Sequence, residues 1–181
     1  KKVFISIGRL TRQKNYLELL KAFSFFQNKI SGYTSRDDYN LIVLGEGEDL
    51  KKLNEFVKTY QIKNVHFLGF QKNPFNFLKN SNFYISTSLW EDPGHTLIES
   101  AALEIPIVTS NCPSGPVELF NNENAFTYNL GQPEELAKIL LKIFNISKSD
   151  NLNLDSKIKK SLELSRQFTK NKFYDSLKEF L

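Results

Sequence analysis

Short apolar runs, each closed by glycine or a polar turn, alternate along this chain with longer stretches whose apolar side chains recur every three or four residues. Residues 2–7, Lys-Val-Phe-Ile-Ser-Ile, stop at Gly8 and predict a buried strand. From Tyr16 to Ile30, Tyr16, Leu19, Leu20, Phe23 and Phe26 follow the helical period and define one core face. A polar loop over 31–39 leads to a predicted strand at 40–44, closed by Gly45. Residues 49–60 read as an amphipathic helix with Leu50, Leu53 and Val57 inward, 64–69 as a third strand, 73–79 as a short helix and 82–87 as a fourth strand. A helix over 95–103, a strand at 107–110, a helical turn over 115–120 and a short edge strand at 125–128 follow. Residues 133–144 carry proline early, with Leu136, Ile139, Leu140 and Ile143 on one face. A polar loop over 145–150 precedes two further helical patterns, the last ending in 173–181.

Strands that are near-continuous apolar runs, alternating with helices, predict a mostly parallel sheet covered on both faces. The expected fold is therefore α/β, a doubly wound sheet of about six strands, in a single domain spanning 1–181. Such sheets bind ligands at the carboxyl ends of the strands, where the strand order reverses. The site is expected in the loops after Ile7, Leu44, Gly69, Thr87 and Ser110.

Composition narrows the function. The chain of 181 residues carries 24 basic and 20 acidic side chains, a net charge of +4. Much of the surplus lies near the ends, at Lys1, Lys2, Lys157, Lys159, Lys160, Lys170 and Lys172, and no long basic run appears. This reads as solvated surface charge rather than a nucleic-acid groove. A weak attraction to an anionic membrane surface is still allowed. A single cysteine, Cys112, excludes a disulfide within the chain and points to a reducing compartment, the cytoplasm. No apolar run approaches the ~20 residues needed to span a bilayer, and nothing at the start resembles a signal peptide. The chain opens directly in a strand-like segment and contains no methionine, which suggests a piece of a longer protein.

The candidate chemistry clusters in two loops. After the first strand, Gly8 lets backbone approach a ligand, Arg9 can fork onto two phosphate oxygens and Lys14 can add a point charge. After the fourth, Glu91 precedes an Asp-Pro-Gly turn ending at Gly94, and Glu99 sits on the apolar helix that follows. The amides of Gly94, His95, Thr96 and Leu97 at that helix start offer an anion site. The alternatives at these positions are unliganded surface cations and a solvated glutamate on a helix edge. At a helix start the imidazolium of His95 is disfavoured, so its backbone amide counts for more than its ring, and His66 reads as structural.

The segment 45–50, Gly-Glu-Gly-Glu-Asp-Leu, begins like a dinucleotide fingerprint. Leu50 stands where a third glycine is needed and the acids would repel a pyrophosphate, so it reads as a tight turn lining the cleft. Residues 111–116 form a rigid proline- and glycine-containing loop able to close one side of the cleft. Cys112 lacks an activating base, and no His, Cys, Asp or Glu cluster has ligand spacing, so neither a thiol nucleophile nor a bound metal is expected.

Together, Gly8-Arg9-Leu10 through Lys14, Val65-His-Phe-Leu-Gly69, the Glu91 to Glu99 pair, and Pro106-Ile-Val-Thr-Ser110 resemble the family 4 glycosyltransferases. The resemblance covers only their C-terminal, nucleotide-sugar-binding half, a Rossmann-like half of the two-domain GT-B fold. Residues 111–118 further resemble members that build bacterial lipopolysaccharide or capsule. The resemblance implies that Arg9 and Lys14 hold the donor diphosphate, Glu91 binds the donor sugar's hydroxyls and Glu99 binds the ribose. It also implies that the amides near Gly94, His95, Thr96 and Leu97 meet the phosphates while backbone near Phe67 to Phe70 flanks the base. The implied enzyme is a hexosyltransferase that retains anomeric configuration, uses an NDP-sugar (a UDP-sugar first) and needs no cofactor or metal. Its acceptor would be a glycan or a lipid-linked glycan, reached at the inner face of a membrane. The N-terminal acceptor domain is missing from this chain, so the chain alone is expected to be inactive. Two alternatives stay open: half of a nucleotide-sugar 2-epimerase, and a non-catalytic sugar-nucleotide-binding module. Asp92-Pro93 departs from the family's pattern after the first glutamate, and Glu104 stands where the family commonly has glycine.

Overall fold

The computed structural model describes residues 1–31, 38–146, 151–169 and 172. Among these residues six strands, β1 (Lys2–Ile7), β2 (Tyr39–Leu44), β3 (Val65–Phe67), β4 (Phe83–Ser86), β5 (Ile107–Ser110) and β6 (Phe126–Tyr128), form one sheet in the order β3-β2-β1-β4-β5-β6. Every pairing is parallel. The order reverses between β1 and β4, so the switch point lies between the two strands whose loops hold the candidate chemistry.

Among the described residues seven α-helices follow the strands: α1 (Tyr16–Ile30), α2 (Leu50–Thr59), α3 (Phe75–Lys79), α4 (His95–Ala102), α5 (Gly115–Leu119), α6 (Pro133–Phe144) and α7 (Asn151–Ser165). The final helical pattern expected over 173–181 lies outside the described residues, as do 32–37 and 147–150 of the two expected loops. Alternation along the strands divides the core in two. Phe4, Leu41, Val43, Phe83, Ile85 and Val108 face α1, α2 and α6, while Ile5, Leu44, Tyr84 and Ile107 face α3 and α4. The first layer is dominated by rings: Phe26 meets Phe4, Tyr39 and Phe144 edge to face at centroid distances of 5.9, 5.3 and 5.4 Å.

The expectation that the terminal lysines are solvated fails for two of them. Lys2 donates from Nζ to the carbonyl of Ile143 at 2.6 Å, in the last turn of α6, where a cation opposes the helix dipole. Lys157 is buried, donating to the carbonyls of Asn122 and Ala125, with its ammonium 5.1 Å from the centre of the Phe126 ring. Burial lowers the pKa of both amines. In each case an unpaired carbonyl within reach outweighs the hydration of a long flexible cation.

Candidate functional site

The loops after β1, β2 and β3 are tied to one another by backbone hydrogen bonds at the carboxyl edge of the sheet. Gly8 donates to the carbonyl of Leu44 at 3.0 Å, Leu10 to Glu46 at 2.8 Å and Gly45 to Gly69 at 2.8 Å. Two glycines make this approach feasible: a Cβ on Gly45 would lie 2.0 Å from the carbonyl oxygen of Gly8, and one on Gly47 2.3 Å from that of Leu10. The 45–50 segment is thus the tight turn expected of it.

Between these loops opens a cavity of about 460 Å³, lined by Ile7, Gly8, Arg9, Leu44, Gly45, Glu46, Phe70, Gln71 and Pro74. Its walls are largely apolar, with the Glu46 carboxylate and the Gln71 amide as polar edges. Phe70 is 71% exposed at its rim. Arg9 is exposed, and the ion pairs among the described residues do not include it.

A polar cluster adjoins this cavity and shares Gly8 with it. The Lys14 stem lies over Gly8, and a Cβ there would sit 3.1 Å from Lys14 Cε. Lys14 Nζ forms an ion pair with Oε1 of Glu91, which is only 7% exposed, and the same oxygen accepts a hydrogen bond from Ser88 Oγ. Isolated burial of a carboxylate is costly, and a cation plus a hydroxyl is the compensation it requires.

The backbone beneath is held from both loops. Leu89 N donates to the carbonyl of Gln13 at 2.8 Å, Gln13 Nε2 to that of Trp90 at 3.0 Å, and Thr87 Oγ1 to that of Lys14 at 2.9 Å. Two buried phenols complete the floor. Tyr16 donates to the Gly8 carbonyl at 3.2 Å, and burial, with the charge of Glu91 adding to it, raises its pKa above the ordinary phenol value. Tyr84 is raised too, first by burial and then by the charges of Tyr16, Glu91 and Glu99. Glu91 and Glu99 both come from the segment that joins β4 to β5.

The loop after β5 closes the third side. Ser114 pairs with Glu91 in an isolated parallel bridge, and a Cβ on Gly115 would meet the Pro93 carbonyl oxygen at 2.3 Å. Cys112 is buried there, and burial, chiefly, raises its thiol pKa, which disfavours the thiolate.

The structure brings Gly8, Arg9 and Phe70 together on the cavity, and Lys14 and Glu91 beside them. At the start of α4, Gly94 is left-handed (φ 86°) and buried, His95 is exposed, and Thr96 and Glu99 are half-buried. One expectation is corrected. The Leu97 amide is not available to an anion, because it donates to the Gly94 carbonyl at 2.9 Å in the first helical turn. Among the described residues no hydrogen bond engages the amides of Gly94, His95 and Thr96, consistent with the orphan donors of a helix start. Asp92 is exposed. Glu104 adopts φ 59° at the end of α4, where Glu104 N reaches Ala101 O at 3.1 Å and Ile105 N reaches Ser100 O at 2.9 Å. Those two bonds are the Schellman pattern that glycine normally serves.

Sequence reasoning missed Gln13, Thr87 and Ser88, and treated Tyr16 only as core. The available signal was the polar run Ser86-Thr87-Ser88 at the end of a fully buried strand, where each hydroxyl needs a partner.

The sequence model of the family described as "Glycosyl transferases group 1" matches residues 1–161. Among curated proteins, the chain is 42% identical over 118 residues to an uncharacterized glycosyltransferase of Methanocaldococcus jannaschii, covering 65% of this chain and 28% of that protein. It is 27% identical over 141 residues to the capsular polysaccharide biosynthesis glycosyltransferase CapM of Staphylococcus aureus, covering 77% and 36%. The chain thus spans about a third of the length of these relatives. Of solved structures, S. aureus TarM in complex with UDP superposes with a TM-score of 0.84 at 19% identity, over 99% of this chain and 35% of that one. That likeness identifies the fold as a Rossmann-like half of the GT-B type. On the family match over most of its length, the chain belongs to the group 1 glycosyltransferases.

Proposed function

We propose that this chain is the donor-binding domain of a retaining glycosyltransferase that moves a hexose or N-acetylhexosamine from a UDP-sugar to a glycan or lipid-linked acceptor. The observation that carries the reading is the sharing of Gly8 by an aromatic-edged cavity bearing Arg9 and by the Lys14–Glu91 ion pair. A nucleoside diphosphate sugar needs those features in that sequence: an apolar slot for the base, cations for the diphosphate, then a carboxylate for ring hydroxyls. The names of similar proteins support the substrate class. One is a Campylobacter jejuni transferase acting on a diphospho-undecaprenol glycan, 30% identical over 123 residues, and a pneumococcal O-GlcNAc transferase of like fold was crystallised with UDP and GlcNAc.

In this reading the base stacks against Phe70 in the cavity, and Glu99 holds the ribose. Arg9, Lys14 and the amides of Gly94, His95 and Thr96 meet the diphosphate. Lys14 exchanges Glu91 for a phosphate oxygen, which frees Glu91 to accept hydrogen bonds from the sugar. As the glycosidic bond breaks, negative charge grows on the leaving diphosphate, and these preplaced donors stabilise it more than they stabilise the ground state. A second domain supplies the acceptor, in bacterial surface polysaccharide synthesis at the cytoplasmic face of the membrane. No helix among the described residues is long and apolar enough to cross that membrane. The reading calls for no cofactor and no metal.

Titration calorimetry of the chain with UDP, GDP and their sugars tests it. Saturable binding of UDP and a UDP-sugar, abolished by Arg9→Glu, is expected. Absence of saturable binding at millimolar ligand would overturn the proposal.

A further inference from the structure

We propose that Ser88 is the positioning residue that holds Glu91 in place once the donor has drawn Lys14 away; this deepens the donor-site reading above and rests on it. The geometry of one carboxylate carries the inference. Lys14 Nζ and Ser88 Oγ both bind Oε1 of Glu91. No hydrogen bond among the described residues reaches Oε2, and Oε2 is not among the fully buried atoms left without a partner, so it keeps some contact with solvent although the side chain is only 9% exposed. One oxygen is clamped and the other is presented.

The two clamps differ in what a ligand does to them. Lys14 carries its ammonium on a flexible stem and its side chain keeps 21% exposure, so it can turn toward an arriving diphosphate. Ser88 is 1% exposed, and its place in the backbone is set by Ser110 Oγ, which donates to the Ser88 carbonyl at 2.8 Å. It cannot follow the phosphate. After Lys14 leaves, the Ser88 hydroxyl is the bond that keeps the buried carboxylate from rotating, so Oε2 stays aimed where a sugar hydroxyl would sit. Without it, Glu91 would be well placed only in the empty site, where the ion pair holds it.

The consequence is a dependence on one carboxylate that a merely structural serine would not show. Binding of the diphosphate draws Lys14 off Glu91 and leaves Ser88 as its remaining partner, so the affinities for UDP and for its sugars should both depend on Ser88, and only while the carboxylate is present. The experiment measures Kd for UDP, UDP-glucose and UDP-N-acetylglucosamine by calorimetry on the wild-type chain, Ser88→Ala, Ser88→Cys, Glu91→Ala and the Ser88→Ala/Glu91→Ala pair. Near-UV circular dichroism monitors the fold of each. Ser88→Ala is expected to reduce the affinity for UDP and for the better sugar nucleotide about tenfold, the scale of one hydrogen bond to a charged group. Ser88→Cys, close in volume and a weak donor, should fall between wild type and alanine. In the Glu91→Ala background, Ser88→Ala should change neither affinity further, because its effect runs through that carboxylate. Full retention of both affinities by Ser88→Ala, or an undiminished effect beside Glu91→Ala, would overturn the role of Ser88 while leaving the donor site standing. A wild-type chain that binds neither UDP nor either sugar nucleotide would overturn the donor site, and this inference with it.

Discussion

Two buried regions of this molecule, the aromatic layer under α1 and the polar floor of the cleft, are built on the same strands and obey different rules. In β4, Phe83 and Ile85 enter the aromatic layer, while Ser86 and the following Thr87 and Ser88 each find a specific oxygen. In the first region, energy comes from area and ring packing, which many apolar combinations could supply. In the second, each hydroxyl or carboxylate is costly to bury unless one particular partner stands within about 3 Å. The difference teaches that the packing that holds the fold and the polar contacts that arrange the candidate site are separable here, although both depend on residues hidden from solvent.

The largest expected effect tests the aromatic side of that contrast. Phe26 is fully buried against four other rings, and Phe26→Ala should cost about 3–5 kcal/mol of stability in urea unfolding. Nucleotide affinity of the fraction still folded should be unchanged. The matching test at the cleft is Lys14→Met. It should weaken UDP binding by about 1.5–3 kcal/mol, a tenfold to hundredfold rise in Kd by calorimetry, with a smaller change in melting temperature. A large loss of stability with intact binding would erase the distinction between the two regions.

A smaller effect comes from Glu104, which belongs to neither region. Its left-handed backbone strains a residue with a Cβ, so Glu104→Gly should raise stability by about 1 kcal/mol without altering UDP affinity. The smallest is spectroscopic and appears only in alkali. Tyr16, Tyr84 and Tyr128 all have pKa values raised chiefly by burial. A raised folded pKa means that the native state keeps a proton the unfolded chain gives up near pH 10. Their contribution to stability is therefore complete below pH 10 and is lost as pH climbs toward the folded values. Tyrosinate absorbance should show these three remaining protonated past pH 10 until the chain unfolds, and Tyr16→Phe should remove one from the late class.

Much of the fold was legible because its signals are local. β1, α1, β5 and α6 lie where periodicity and glycine stops predicted them, and other boundaries moved by a residue or two, as Tyr39 joining β2 illustrates. Gly8, Arg9, Lys14, Glu91 and Glu99 were recognisable as candidate chemistry because charged residues in strand-to-helix loops of a doubly wound sheet converge on one edge. Lys157 was misread because a lysine's hydration is a statistical tendency, overruled when two carbonyls and the Phe126 ring lie within reach. The Leu97 amide was misread because a helix start was expected to leave it free, whereas the first turn closes onto Gly94.

What the sequence determined by itself is the succession of buried strands and amphipathic helices, and with it a parallel sheet whose carboxyl edge carries the candidate loops after β1 and β4. Nearest neighbours along the chain suffice for that, since apolar period and turn chemistry act over a few residues. Only the tertiary structure decided that Lys14 and Glu91, 77 residues apart, form an ion pair, and that Ser88 shares the same oxygen. It also decided that Tyr16 supplies a hydroxyl to the Gly8 carbonyl beside the cleft. Those outcomes depend on how two loops dock through Gln13, Thr87 and Leu89, where one bond excludes another and no local pattern ranks the choices.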